Sequence, residues 1–172
     1  MESVENLTRE ELIKLIKVYA KNWLAHDGCW FLAAEGKYGL DTAIELDIKS
    51  WNRFAVAEAR RIMQEFNITE NGGLKALEQA FGYRLYSAIN KQEIEWINDE
   101  TMVFRMVECR VQKTRSKKNL PAFPCKPIGI VEFIQFAKTI DPCILTRCIS
   151  CPPDPVTNAF CAWEFTIPNT TE

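Results

Sequence analysis

Apolar side chains recur at helical spacing in the first half of the chain and partly alternate in the second, so the sequence divides into a helical stretch and a mixed one. Thr8-Arg9-Glu10-Glu11 reads as an N-cap followed by first-turn acids, and Leu12, Leu15, Ile16, Tyr19, Trp23 and Trp30 then fall at helical spacing. This predicts a helix over about 8–34. Gly36 and Gly39 interrupt the pattern, after which Asp41 can cap a second helix carrying Ile44, Ile48, Trp51, Phe54, Ala55 and Ile62 and ending near Phe66. Asn71-Gly72-Gly73 is turn chemistry, and Leu74, Leu77, Phe81, Leu85 and Ile89 again step by three or four, which makes a third helix.

The period changes after Asn90. The runs at 93–97 and 102–107 partly alternate on either side of Asn98-Asp99 and predict a β-hairpin. The apolar segment at 128–140 is bounded by Pro127 and by Asp141-Pro142, as suits a crossing helix. Strands at 144–149 and 160–167 follow, separated by Pro152-Pro153-Asp154-Pro155, where proline cannot donate to a ladder. The expected fold is α+β: three N-terminal helices and a crossing helix packed on a four-stranded antiparallel sheet made of two hairpins. One domain over 1–172 is expected, with no repeat, low-complexity tract or linker, and with loose ends only at the first few residues and at Asn169-Thr170-Thr171-Glu172.

Composition narrows the function classes. A hydrophobic fraction of 47% over 172 residues supplies a core, while 26% charged residues, a formal charge of -2 and a pI near 5.6 argue against nucleic acid as a partner. The first residues lack the basic start and apolar run of an export leader, and no apolar stretch approaches the ~20 residues that cross a bilayer. The expectation is therefore a cytoplasmic protein with no membrane partner.

Seven cysteines, an odd number without an export signal, are expected as thiols or metal ligands instead of a disulfide framework. Only Cys29 lies in the first half; Cys109, Cys125, Cys143, Cys148, Cys151 and Cys161 follow. Cys148-x-x-Cys151 has the spacing that lets two thiolates converge on a tetrahedral metal, and Cys109 with Cys125 can complete the set. Zinc is the expected ion, with an iron-sulfur cluster as the alternative. Cys161 alternates with Trp163 and Phe165, which points it into the core as a small hydrophobe. The plain alternative for all of them is buried, reduced thiols that only pack.

Polar residues on otherwise apolar helix faces form a second constellation. His26 is the only histidine, and Asp27, Glu35, Asp47 and Glu58 are carboxylates that must be paired or have a raised pKa if they point inward. His26, Asp27 and Glu58 are the candidates for proton transfer, although structural ion pairs with Arg53, Arg60 or Arg61 are the commoner use of such groups. Asp47 and Glu58 stand about 16 Å apart along a helix and cannot act as a dyad. A third feature is the acid-free run of cations Arg110, Lys113, Arg115, Lys117, Lys118 and Lys126, able to grip a phosphate or carboxylate or simply to be solvated.

The strings Trp23-x-x-x-Asp27-Gly28-x-Trp30-Phe31, Leu46-Asp47-x-x-x-Trp51, Phe123-Pro124-Cys125-Lys126, Cys148-x-x-Cys151-Pro152-Pro153-Asp154 and Cys161-Ala162-Trp163 resemble an uncharacterised family of bacterial and archaeal cytosolic proteins. More distantly, the layout is similar to the L-2-amino-thiazoline-4-carboxylate hydrolases and to vinyl-reductase-like hydrocarbon-binding domains, whose fold is shared with a vesicle-trafficking module. That resemblance implies a pocket for a small organic ligand, sometimes beside a cysteine-bound metal; Asp27, Trp30, Asp47, Trp51 and Lys126 are the residues expected to line it. The functional expectation is a metal-binding, small-molecule-binding module. A hydrolase of a small cyclic C-N compound and an interaction protein that forms a homodimer through its aromatic-rich helices are the alternatives.

Overall fold

A computed structural model describes residues 4–168, so both ends expected to be loose lie wholly or mostly outside the described residues. The chain divides into two compact units, residues 1–43 and residues 44–172.

The first unit is built on α1 (Arg9–Tyr38), preceded by a 3-10 turn at Val4–Asn6. Its start is the expected capping box: Thr8 Oγ1 accepts from the Glu11 amide at 3.3 Å while Glu11 Oε2 accepts from the Thr8 amide at 2.8 Å. Gly36 does not stop the helix. The stop comes at Gly39, whose φ of 85° is a conformation that side chains resist, and α2 (Leu40–Phe66) begins at the next residue.

The second unit holds most of α2, then α3 (Gly73–Tyr83), a 3-10 turn at Leu85–Ala88, β1 (Lys91–Asn98), β2 (Thr101–Glu108), α4 (Arg110–Lys117), α5 (Lys126–Ile140), β3 (Leu145–Ser150) and β4 (Cys161–Thr166). The four strands form one antiparallel sheet in the order β1-β2-β4-β3, as the two-hairpin reading expected. The arrangement is α+β. Two elements differ from the sequence reading: the third helix ends six residues early in a 3-10 turn, and α4 occupies a stretch read as a cationic loop.

Register decides which side chains share a face. Met102, Phe104 and Met106 of β2 stand opposite Phe165, Trp163 and Cys161 of β4, and Cys148 of β3 stands opposite Trp163. That face is buried by α3 and α5: Phe81 stacks on Phe136 at 5.5 Å between ring centres, Phe133 on Trp163 at 4.6 Å, and Phe81 meets Phe104 at 4.9 Å. Helix α5 comes so close that a Cβ on Gly129 would lie 2.7 Å from the Trp163 ring, so this position admits only glycine unless the ring moves. On the opposite face Arg147 and Glu164 pair bidentately at 2.8 and 2.9 Å, and Arg105 pairs with Glu95 at 2.6 Å. One face is therefore the aromatic core, and the other carries these ion pairs beside the buried Val103 and Ala162.

Candidate functional site: a thiol cluster at one end of the sheet

Five cysteines converge where the sheet meets the start of α5. Cys109 follows β2 at the N-cap position of α4, Cys125 holds the N-cap position of α5, Cys148 lies on β3, Cys151 follows that strand, and Cys161 opens β4. The Cys151 thiol, 2% exposed, lies within interaction reach of both Cys125 and Cys161. Cys109 lies within electrostatic reach of Cys125 and Cys161, and Cys148 within reach of Cys161. Cys29 and Cys143 are exposed and stand outside the group.

The sequence-based set Cys109, Cys125, Cys148 and Cys151 is thus brought to one region, and Cys161 joins it. Cys161 does share the core side of β4 with Trp163 and Phe165, as alternation expects. At the end of the strand, that same direction carries its sulfur to Cys151.

The surroundings are arranged by two clamps. Gln112 of α4, buried, donates from Nε2 to the Phe123 carbonyl at 2.8 Å and to Cys125 Sγ at 3.0 Å, while its Oε1 accepts from the Phe123 amide at 3.0 Å. Asp154 accepts from the Cys151 amide at 3.1 Å and from Lys126 Nζ at 2.9 and 3.0 Å, and the Lys126 amide donates to the Pro152 carbonyl at 2.9 Å. The first clamp fixes Cys125. The second ties the Cys151 loop, with its cis Pro152-Pro153 peptide, to the start of α5.

Protonation is unequal across the group. Burial pushes the Cys109 thiol up to about 12 and raises Cys148 as well. Cys151 is raised because the neighbouring Cys125 and Cys161 sulfurs favour its protonated form, and Cys161 is lowered by the Cys151 thiol beside it. The buried Trp163 indole N–H, 1% exposed, has no hydrogen bond of good geometry among the described residues; it interacts with the Cys161 sulfur and favours its thiolate form. As they stand, no three or more His, Cys, Asp or Glu side chains among the described residues form a group that could hold a metal ion.

The other expected site residues fall in both units. His26, Asp27 and Trp30 belong to the first, with Trp30 68% exposed; Asp47, Trp51, Glu58 and Lys126 belong to the second. Trp51 is buried, stacked on Tyr86 and edge-on to Phe54. Glu58 is paired with Arg84 at 2.8 Å instead of with Arg53, Arg60 or Arg61, and the same guanidinium reaches Glu132 at 2.7 Å. Arg84, Glu132 and Gln112 have no part in the sequence reading, and Trp163 enters it only as a core neighbour of Cys161 and as part of a family-like string. An arginine interrupting the Leu77-Phe81-Leu85 stripe was the one available signal for Arg84.

Burial raises the pKa of Asp27, and neighbouring His26 only partly offsets this. With the folded pKa above the unfolded value near 3.8, folding costs more as pH rises through the interval between them and the cost is complete above it. Asp27→Asn is therefore expected to raise the melting temperature at pH 7 and to give no gain at pH 3, measured by thermal unfolding at both.

Among the described residues no helix is long and apolar enough to cross a membrane. No curated protein and no solved structure matches the chain. A family model described as a family of unknown function, DUF6125, matches residues 5–167, and the chain belongs to that family.

Proposed function

We propose that this protein is a thiolate metal-binding module in which Cys125, Cys151 and Cys161 hold a soft divalent ion, zinc first, with Cys109 or Cys148 as the fourth sulfur. The observation that carries this reading is that the buried Cys151 has Cys125 and Cys161, which belong to different elements, as its neighbours. Thiols that merely pack need no such convergence. A soft ion replaces the shared protons and suits sulfur over oxygen donors.

The orphaned indole N–H of Trp163 fits the same reading, since a metal-bound Cys161 thiolate is the acceptor that this buried donor requires. Side-chain rotations would have to bring the sulfurs around one centre. A closed, buried set of four sulfurs is structural chemistry: it holds the ends of β2 and β4, the loop after β3 and the start of α5 together, and leaves no open position for a reacting water. Because the ligands must lose protons, and Cys109, Cys148 and Cys151 hold theirs above the ordinary thiol range, uptake weakens as pH falls.

The test is elemental analysis of protein purified anaerobically without added metal. About one zinc per chain is the expected result for a single tetrahedral site. Iron with sulfide and a brown colour would keep the ligands and replace zinc by a cluster. Less than about a tenth of an equivalent of any transition metal in repeated preparations, with no uptake of cobalt, overturns the reading.

A further inference from the structure

We infer that a cleft on the outer side of α4 binds the phosphate group of a small ligand through Arg110, Lys113 and Lys117. The cleft measures about 170 Å³ and is lined by these cations with Glu108, Thr114 and Ile89. None of the five clustered cysteines lines it.

Helix formation makes it. As a loop, the cationic run could spread its charges in any direction, whereas α4 sets Arg110, Lys113, Thr114 and Lys117 at i, i+3, i+4 and i+7, along one side of the helix. The helix is held at its start because the Arg110 amide donates to Asn90 Oδ1 at 2.9 Å. This anchors the cations against the chain just before β1, and Asn90 itself also lines the cleft.

Charge then selects the ligand. Three cations face the single carboxylate of Glu108, leaving two positive charges in excess. Glu108 occupies Lys113 at 2.6 Å and also lies near Lys91, which is paired with Glu93. Arg110 and Lys117 have no ion-pair partner among the described residues. A dianionic phosphate group matches that excess, can take a forked bond from the Arg110 guanidinium and can accept from the Thr114 hydroxyl.

Size and lining narrow the ligand further. The volume lies below the roughly 300–1,000 Å³ of pockets that enclose drug-sized molecules, so the cleft takes a headgroup and leaves the remainder of the ligand outside. Single-stranded nucleic acid is held by aromatic platforms on which bases stack, and the cleft contributes only Ile89 as an apolar wall.

The experiment is a titration of the full chain with inorganic phosphate at low ionic strength, followed by amide chemical shifts. Saturable shifts confined to the Ile89-Asn90 and Glu108–Lys117 region are expected. Arg110→Gln, Lys113→Gln and Lys117→Gln should each weaken binding by about five- to thirtyfold, the factors a cation about 4 Å away contributes in water to a singly and a doubly charged phosphate. Glu108→Gln should tighten it by a similar factor, because it removes the competing carboxylate. Lys118→Gln, outside the lining, should leave binding unchanged. These side chains are exposed, so the variants remain folded. Shifts that rise without saturating or spread over the surface would overturn the inference, as would a Lys118→Gln loss equal to that of Lys113→Gln. Tighter saturation by succinate than by phosphate would overturn the choice of phosphate.

Discussion

Arg84→Leu is expected to lower the unfolding free energy by about 3–5 kcal/mol, the cost of leaving buried carboxylates without their partner. The guanidinium is 3% exposed and pairs with Glu58 at 2.8 Å and Glu132 at 2.7 Å. Rings of Phe136, Tyr86, Trp51 and Phe133 surround it at 4.6 to 5.9 Å. Burial by itself would disfavour the charge; Glu58 and Glu132 overcome it and hold the pKa above the ordinary arginine range. Removing Arg84 leaves two acids in that cage, both anchored on helices that cannot easily turn them to water.

For a domain of this size the melting temperature should fall by roughly 6–20 °C. Replacing all three members by apolar residues of similar volume should recover stability, since a buried ion group is often no better than well-packed hydrophobes. Urea unfolding of the single and triple variants reads both numbers. A cost below about 1 kcal/mol for Arg84→Leu would mean that Glu58 and Glu132 reach water and that the triad is not a core element.

Cys151→Ala is the second large effect. If the proposed metal site is right, loss of this thiol, the neighbour of both Cys125 and Cys161, should abolish metal retention altogether. Cys125→Ala and Cys161→Ala should follow it closely, whereas Cys109→Ala and Cys148→Ala should each lose less, because either can stand as the fourth ligand. Exposed Cys29 and Cys143 should be silent on replacement. At free metal a hundredfold above Kd the bound ion contributes about 2.7 kcal/mol, so its loss should lower the melting temperature by roughly 5–10 °C.

A chelator separates this from lost packing. If the Cys151→Ala deficit persists unchanged when both proteins are stripped of metal, the thiol only fills space. If it disappears, the ion carries the stability.

Much of the architecture was legible because each signal was local. Thr8 and Glu11 form the capping box three residues apart, Asn71-Gly72-Gly73 makes its turn with positive φ at Asn71 and Gly73, and the prolines at 152, 153 and 155 separate the last two strands. Helix α4 escaped because its composition is almost wholly polar, with Val111 its single apolar residue, so no apolar stripe announces it. What fixes it is nonlocal: Asn90 holds the first amide, and buried Gln112 clasps Phe123 and Cys125.

The sequence by itself determined most of the element types, α4 excepted, the α+β class and the bias of cysteine toward the second half, because periodicity, caps and turn residues act over three or four positions. Only the tertiary structure decided which sulfurs meet, that Glu58 answers to Arg84 and Glu132, and that the cations of α4 share one wall. Those outcomes depend on strand order and register, which place Met106 beside Cys161 and Cys148 beside Trp163. Residues fifty positions apart become neighbours through the pairing of whole strands, and no local pattern encodes that pairing.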